Sequence, residues 1–551
     1  MSSATSTVSI TTSAALGDAP SEQRGWIALE VVWLLMIFFL FAGSPPPDVG
    51  EAHYLAKAKH YWEPSWASGD LFLESADAHQ TFYWAFGWVT QFASLDASAW
   101  IGRLVTWLLL AWAWRRLSWS LVPVKLASLL TAGLMLLFTR GFHMAGEWIV
   151  GGVEAKGFAF ALLFLALEAL VRERWRAATL LAGAATAFHV LIGGWSLVCL
   201  AVVWLASPQR RLPLAKLWPA LAGAVLLALP GLLPAVLLTR GADPAVVSEA
   251  NQIYVFERLP HHLVFHRFEH FYMARHAVLL VAWGALAWHF RAHNTLRRLN
   301  LFVAAAVGLA LIGVVLDQTL LYQRALAASL LRYYWFRLND SMVPVATALA
   351  TVAWIVQLQP RRPRLASGLL IVALLAAGTN LANVCYRRSQ QRLPGSFQQP
   401  RPMLELPQVE SSRVESTISP TELFAYWVAA NEWIAANTPS ESRFLTPRRQ
   451  QTFKWYAERP EVANWKDVPQ DAEALVLWKR AMEELYPPGK GRHDLAGHSE
   501  EALLRLARKH QADYLLLDRQ RAGRPLAWKR VYPEFDEDNP AYEVYRVPAA
   551  Q

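Results

Sequence analysis

The stretch PPPDVGEAHY (residues 45–54) directly follows an apolar run over residues 26–41. That run is long enough to cross a bilayer as a helix. The three prolines end the helix, because proline has no N–H to donate and disfavours helical backbone in the residue before it. The sequence therefore predicts a first membrane helix that stops at the membrane surface and is followed there by two carboxylates, Asp48 and Glu51.

Asp48 and Glu51 allow two interpretations. If a second helix begins near Asp48, the two side chains lie on one face of it, one turn apart, and can act together. Alternatively, Asp48 is the N-cap of that helix and Glu51 stands at its third position, which is the arrangement of a capping box. The local spacing fits both interpretations.

The composition indicates a membrane protein. Of the 551 residues, 54% are hydrophobic and 17% are charged, whereas about a quarter are charged in a typical soluble domain. Cys199 and Cys385 lie in or beside apolar stretches, so no disulfide framework is predicted. The chain is predicted to be a polytopic α-helical membrane protein with about eleven transmembrane helices, at residues 26–42, 97–114, 123–139, 156–171, 177–191, 194–206, 217–238, 274–290, 299–316, 341–357 and 365–383.

Positive charge alternates along the loops between these stretches. By the positive-inside rule the basic loops are cytoplasmic, so the loop that carries Asp48 and everything after residue 384 face outward. The alternation requires residues 177–206 to cross twice, although their length also suits one helix interrupted at Gly193 and Gly194. The net charge of +9 follows this pattern and therefore does not indicate nucleic-acid binding. The basic loops contain Arg115, Arg116, Lys125, Arg172, Arg174, Arg176, Arg210, Arg211, Lys216, Arg291, Arg297, Arg298, Arg361, Arg362 and Arg364.

Composition also divides the chain. Residues 1–24 are rich in Ser, Thr and Ala and are predicted to be disordered. Residues 25–385 form the predicted transmembrane domain with a long first external loop at 43–96, and residues 386–418 form a linker. Residues 419–551 predict a small external α/β domain, with helices at 421–437 and 499–509 and strands at 443–446, 513–517 and 542–547.

Acidic and basic side chains gather at the predicted helix ends on the outward side. A hydroxyl that attacks a sugar–phosphate donor needs a carboxylate as general base. It also needs cations that stabilise the departing phosphate. His261 and His262 with His266 fit a metal site, but no set of close acidic or Cys ligands completes it. A polar loop at the membrane surface, or a site that touches a lipid phosphate, fits the same residues. Glu147 belongs to this set without a role of its own. The catalytic candidates are Asp48, Glu51 and Glu154, and the residues predicted to bind the substrate or the lipid phosphate are Lys156, Arg258, His261, His262, Arg332, Arg337 and Asp340.

Two acidic motifs carry a family resemblance. DVGEAHY (48–54), followed by Gly69-Asp70, and GGVEAKG (151–157) resemble the acidic loop motifs of the type C glycosyltransferase (GT-C) superfamily. WIAANTP (433–439) and DYLLLD (513–518) resemble external tails of uncharacterised bacterial members. The layout is also similar: a cytoplasmic N-terminus, an acidic first external loop with an interfacial helix, about eleven spans and an external C-terminal domain.

The resemblance implies roles for individual residues. Asp48 would be the catalytic base, and Glu51 and Glu154 would orient the acceptor or a metal ion. Arg332 or Arg337 would hold the lipid phosphate. Lys156 stands where metal-dependent members carry another carboxylate, which disfavours a bound divalent metal, and no other cofactor is implied.

The sequence thus predicts a glycosyltransferase-like protein of the bacterial inner membrane. Its expected partners are a polyprenyl-phosphate-linked sugar and membrane lipids, with chemistry on the external face. A polytopic transporter or flippase, or a scaffold of the same fold without activity, fits the same helices. Transporters are typically built from inverted repeats, and we find no internal repeat in this sequence.

Overall fold

The computed structural model describes residues 21–397, 418–487, 494–519 and 525–549. Residues 1–20 of the predicted disordered tail and residues 398–417 of the predicted linker lie outside this range. Helix extends into both predicted segments where they are described. The first helix already begins at Ser21, and the last helix before the linker continues to Gln391.

Helices make up nearly all of the regular structure before residue 398. Eleven of them overlap the eleven predicted apolar stretches, and the others lie in the longer loops. In chain order they are α1 Ser21–Ala42, α2 Glu51–Trp62, α3 Gln80–Ala85, α4 Leu95–Leu121, α5 Ala127–Gly141, α6 Ala155–Val171, α7 Trp175–Phe188, α8 Val190–Leu205, α9 Leu214–Leu237, α10 Pro244–Gln252, α11 Pro260–Leu263, α12 His270–His289, α13 Asn294–Thr319, α14 Arg324–Leu331, α15 Arg337–Leu358 and α16 Pro363–Gln391.

Six of these helices are long and apolar enough to cross a membrane: α1, α9, α12, α13, α15 and α16. Helices α5 and α8 are apolar but shorter. Helix α4 is long enough, but it carries arginines that pair with acids on other helices, Arg103 with Glu51 and Arg115 with Glu30. The chain is therefore a multi-pass helical protein, and the count of eleven crossings stays a prediction.

The interruption predicted at Gly193 and Gly194 lies elsewhere. Helix α7 ends at Phe188 and α8 begins at Val190, with His189 between them in an extended conformation. The glycines are inside α8. Gly193 has a packing role, because a Cβ there would lie 2.1 Å from the backbone nitrogen of Thr186.

Helix α6 occupies the centre of the bundle. All of its residues are buried except Leu162 and Leu165, which are partly exposed. It packs mainly against α4 and α7. A helix that is apolar on nearly all sides belongs in such a position, and the charged residues of α6, Lys156 and Glu168, stand near its two ends. Glu154, which immediately precedes α6, is thereby held at the end of the most enclosed helix of the protein.

The C-terminal part is a small α/β unit. Its sheet has the order β1-β2-β4-β3, with β1 parallel to β2 and the other pairs antiparallel. Side chains of β2 alternate between two cores: Leu516 packs with Trp427, whereas Leu515 and Leu517 pack with Trp478. The elements are α17 Pro420–Asn437, β1 Phe444–Leu445, α18 Phe453–Ala457, α19 Ala472–Leu485, α20 Glu500–Lys509, β2 Tyr514–Asp518, β3 Arg530–Tyr532 and β4 Tyr542–Arg546.

Candidate functional site

Asp48 lies in the turn between α1 and α2. Its Oδ1 atom accepts the N–H of Val49 at 2.8 Å. The N-cap of α2 is Gly50, and no side chain caps that helix end. The capping interpretation of Asp48 is therefore wrong for its side chain, although Glu51 does reach back to the backbone N–H of Asp48 at 2.6 Å.

Glu51 is fully buried and both of its oxygens are occupied. Arg103 of α4 donates to them through Nε at 2.6 Å and Nη2 at 2.5 Å. The N–H groups of Asp48 and Val153 donate to them at 2.6 and 2.8 Å. A two-pronged arginine–carboxylate pair is strong and geometrically specific. Glu51 thus fixes the Asp48 turn against α4 and the loop before α6, which favours a positioning role over contact with an acceptor.

Three glycines allow the backbone to approach the carboxylates closely. A Cβ at Gly50 would lie 1.5 Å from Oε1 of Glu154, and one at Gly395 would lie 2.2 Å from Oδ1 of Asp48. A Cβ at Gly152 would lie 2.9 Å from the Cβ of Asp48. These contacts bring Asp48 and Glu154, which are 106 positions apart in the sequence, to the same short segment of backbone.

Both carboxyl groups have raised pKa values. Burial raises the pKa of Asp48, and the charge of Glu51 adds to this, while the N–H of Val49 and the charge of Arg103 oppose it. Burial raises the pKa of Glu154 to about 7, the Asp48 carboxylate contributes, and the Lys156 ammonium opposes it. A carboxyl group with a pKa near neutrality exchanges a proton readily at physiological pH, which suits acid–base work.

Cations extend the site from Glu154 towards α15. The Lys156 Nζ lies 3.6 Å from Glu154 Oε2 and 3.3 Å from Glu147 Oε1. The other oxygen of Glu147 lies 2.7 Å from Nε of Arg337, whose Nη1 donates to His189 Nε2 at 2.8 Å. We call Asp48, Glu154, Lys156, Glu147 and Arg337 the carboxylate–cation cluster.

Glu147 is the member of this cluster for which the sequence predicted no role. It is buried, and burial raises its pKa, but the charges of Arg337 and Lys156 outweigh burial and lower the pKa below its usual range. Glu147 therefore remains a carboxylate between two cations. It holds Arg337 and Lys156 side by side.

Asp340, predicted to bind substrate, is instead bound to backbone. It is fully buried in α15 and accepts the N–H groups of Met144, Ala145 and Glu147 at 2.6, 2.8 and 3.1 Å. Three such bonds fix the loop that carries Glu147. The contacts favour a positioning role for Asp340.

Aromatic and histidine side chains that the sequence reasoning missed line the same region. The Tyr54 hydroxyl contacts Nε2 of His79 at 3.2 Å, and the His79 ring lies 6.1 Å from that of His189. Burial lowers the pKa of His79 to about 3, so its ring is neutral. Arg337 lies 4.0 Å above the ring of Tyr334. Only Tyr54 could have been recognised from the sequence. It stands three residues after Glu51, and this spacing places both side chains on one face of a helix.

The remaining predicted residues lie at the border of the cluster or outside it. His262 contacts the carbonyl of Ala145, and burial lowers its pKa to about 3. The ring of His261 lies 4.1 Å from that of His262, tilted by 45°, and its pKa is lowered by burial and by the charge of Arg258. Arg332 donates to Asn251 at 2.6 Å. Of the two arginines predicted for the lipid phosphate, Arg337 is the one that belongs to the cluster.

The cluster does not fit a divalent metal ion. The ammonium of Lys156 stands between Glu147 and Glu154, the two acids that a metal would need, and its positive charge repels a cation there. Within the described ranges no group of three or more His, Cys, Asp or Glu side chains is arranged to hold a metal. This applies also to His261 and His262, for which a metal site was one interpretation.

Apolar helices and the C-terminal sheet together define a multi-pass membrane protein with a small α/β unit. Residues 425–485 match a family model described as "Domain of unknown function (DUF6798)". That match spans far less than half of the chain and does not assign the whole chain to a family. A comparison with curated proteins finds no match.

Among solved structures, two similar chains are archaeal oligosaccharyltransferases of Archaeoglobus fulgidus. One is AglB in complex with an inhibitory peptide and a dolichol-phosphate, with 12% identity and a TM-score of 0.41 over 91% of this chain and 70% of that one. The other is the enzyme tethered to an acceptor peptide with the NVT sequon, with 13% identity and a TM-score of 0.42 over 90% and 69%. Similarity at this level assigns neither an activity nor a substrate to the present chain.

Proposed function

We propose that this protein is an integral membrane glycosyltransferase that transfers a sugar from a polyprenyl-phosphate donor to an acceptor. We further propose that it resides in a bacterial inner membrane and works on the external face. The observation that carries the proposal is the carboxylate–cation cluster, in which two carboxyl groups with raised pKa values, Asp48 and Glu154, lie in one site with the cations Lys156 and Arg337. General base and phosphate-stabilising charge are the two needs of this reaction.

In the proposed reaction Asp48 takes the proton from the acceptor nucleophile, while Glu154 accepts a hydrogen bond that orients the acceptor. The nucleophile forms a bond to the anomeric carbon of the sugar, and the bond between that carbon and the phosphate oxygen breaks. The electron pair of that bond stays on the phosphate oxygen, and the polyprenyl phosphate is the leaving group. Arg337 and Lys156 stabilise its charge, and Glu51 and Asp340 keep the two acidic loops in place.

Sugar transfer is expected to rise with pH through about 7. The raised pKa of Glu154 means that its carboxyl is protonated below about 7 and ionised above it, and only the ionised form accepts a hydrogen bond with both oxygens. The measurement is transfer of a radiolabelled sugar from polyprenyl phosphate by protein in liposomes, between about pH 5.5 and about pH 8.5. Below the pKa of Glu154 the transfer rate should fall by a factor of about ten for each pH unit.

Glu154→Gln is the matched control for this profile. It keeps the shape of the side chain and removes its ionisation, so the variant should be slower and should lose the step near pH 7. An unchanged step in Glu154→Gln would assign it to another group. No transfer at any pH, with lipid-linked donors of several sugars, would contradict the proposed function.

The proposed external face predicts opposite locations for the two ends of α16. Reporter fusions after Arg364 should be cytoplasmic, and those after Arg387 should be external, because the Arg361–Arg364 loop is basic. Alkaline phosphatase and green fluorescent protein fusions read the two sides independently. The same location at both positions would remove the topology on which the external site depends.

A transporter or flippase is the second candidate, supported by the break between α7 and α8. Interrupted helices in transporters expose backbone groups beside a binding site, and His189 at this break contacts Arg337. Movement of a fluorescent polyprenyl-phosphate sugar between leaflets, without transfer to an acceptor, distinguishes this function from the first.

A further inference from the structure

Four basic side chains meet where the predicted external ends of α5, α12 and α16 come together. Arg140 stands in the last turn of α5. The guanidinium of Arg275 lies over the next residue, since a Cβ at Gly141 would be 3.2 Å from its Nη2. Arg387 of α16 and Arg275 exert repulsive charge on Arg140 and His143, respectively. We call Arg140, His143, Arg275 and Arg387 the basic corner.

Within the described part of the chain, no carboxylate forms an ion pair with any residue of the basic corner. Arg140 and Arg387 donate only to amide oxygens, of Asn380 at 3.1 Å and of Asn383 at 3.3 Å. Arg275 lies against the rings of Phe142 and Phe271. By contrast, the arginines deeper in the bundle have acidic partners, as Arg103 and Arg337 do.

A buried polar atom in the basic corner also lacks a partner. The Nδ1 atom of His143 is inaccessible and has no hydrogen-bond partner among the described residues. The ring of His143 stacks on Tyr272 at 4.6 Å, which fixes its orientation. Burial of an unsatisfied polar group is unfavourable, so a ligand that pairs with this nitrogen would stabilise the corner.

The basic corner borders a cavity that leads to the carboxylate–cation cluster. The cavity has a volume of about 200 Å³, and Arg140, His143, Glu147 and Trp148 are among its lining residues. Trp148 also contacts Lys156 of the carboxylate–cation cluster, whose Nζ lies 3.5 Å from the centroid of the Trp148 ring. A group held by Arg140 and His143 therefore sits one side chain away from the proposed site of transfer.

Apolar surface continues from the cavity along the membrane part of the protein. Phe41 of α1 forms part of its wall. Next to it, Phe39 and Leu40 of α1 are exposed, as are Leu374 and Leu375 of the neighbouring α16. A ligand with an anionic head and a long hydrocarbon tail matches this arrangement, in which the basic corner and the cavity are followed by the exposed apolar side chains of α1 and α16.

We propose that the basic corner binds the phosphate of the polyprenyl-phosphate donor when the lipid enters, before the phosphate reaches Arg337 and Lys156, with the prenyl chain running along α1 and α16. This inference rests on the proposed function and adds a phosphate site that includes none of the residues predicted from the sequence. Guanidinium groups suit this task, because their donors match phosphate oxygens in pairs.

The test is direct binding of polyprenyl monophosphate to the purified full-length protein in nanodiscs, with polyprenol as the probe that lacks the phosphate. The double variant Arg140→Gln, Arg275→Gln should bind polyprenyl phosphate on the order of tenfold to a hundredfold more weakly, the effect of losing charge-assisted hydrogen bonds. Polyprenol binding should stay the same. Arg140→Lys, which keeps the charge, should be intermediate and guards against an effect of misfolding.

Arg291→Gln is the matched control, because it removes the same charge just beyond the other end of α12, where Arg291 lies over the ring of Trp288 and donates to its carbonyl. It should bind polyprenyl phosphate like the wild type. Equal affinity of the double variant and the wild type would overturn the inference. So would an equal loss of binding to phosphatidylglycerol or inorganic phosphate, since the corner would then be a general anion site.

Binding and transfer separate this inference from the proposed function. Phosphate-dependent binding that requires Arg140 and Arg275, in a protein that transfers no sugar, would support the basic corner and contradict the glycosyltransferase. Transfer with an unchanged KM for the lipid donor in the double variant would support the glycosyltransferase and contradict the basic corner.

Discussion

Asp48→Asn is expected to lower the rate of sugar transfer by roughly 10²–10⁴-fold, the usual cost of removing a general base. Asparagine keeps the size of the side chain and can still accept the N–H of Val49, but it cannot take a proton. Because Asp48 lies in a turn and is not part of the Glu51–Arg103 pair, stability should change little. The measurement is transfer from a polyprenyl-phosphate donor in liposomes, with thermal unfolding followed in parallel.

Glu63→Gln provides the control for Asp48→Asn. Glu63 is an acid of the same predicted external loop, but it is exposed, and its one ion pair among the described residues is with Lys59 at 3.9 Å. Its loss should leave transfer at the wild-type rate. A stable Asp48→Asn protein with full activity would remove Asp48 from the proposed mechanism and leave Glu154 as the remaining candidate base.

The positions of the helices could be predicted because apolar runs, prolines and basic loops are local features. The runs that predicted α1, α13 and α16 are each a property of about twenty consecutive residues. The break at His189 was misplaced because glycine usually marks an interruption. Here Gly193 is required for close packing against Thr186, which depends on the partner helix and not on the local sequence.

The site could be predicted only in part, for the same reason. Asp48 and Glu154 were recognisable because each is a carboxylate at the end of an apolar stretch. The residues that support them were not recognisable. Arg103, for example, lies within the long apolar stretch of α4, and the sequence does not show that it pairs with Glu51. The positioning role of Asp340 likewise depends on a loop almost 200 positions away in the chain.

A second buried charge cluster joins the loop region between α1 and α4 to the C-terminal part. The Lys454 Nζ lies 3.2 Å from Asp70, 2.6 Å from Glu461 and 2.7 Å from Asp467, and all four side chains are almost completely buried. Burial lowers the pKa of Lys454, but the three acids outweigh it and raise the pKa well above its usual value. Lys454 is thus the charge that allows three acids to be buried together.

Lys454→Met is expected to destabilise the protein by about 3–5 kcal/mol, because removal of one partner leaves the other buried charges without compensation. The measurement is the denaturation midpoint in detergent. Lys509→Met is the matched control: Lys509 also pairs with a glutamate, Glu484, but lies at the surface, where such a pair contributes about 0–1 kcal/mol. Equal midpoints for the two variants would mean that the cluster does not hold the two parts together.

The pH dependence of this loss distinguishes an electrostatic cause from the loss of packing. In the wild type, burial already raises the pKa of Glu461 to about 7. The charge of Lys454 opposes this rise, so without Lys454 the carboxyl group of Glu461 should take up a proton at still higher pH. Protonation removes the buried charge, and the deficit of Lys454→Met should therefore shrink as the pH falls from 8 to 5. A deficit that is constant over this range would assign the effect to the missing side-chain volume.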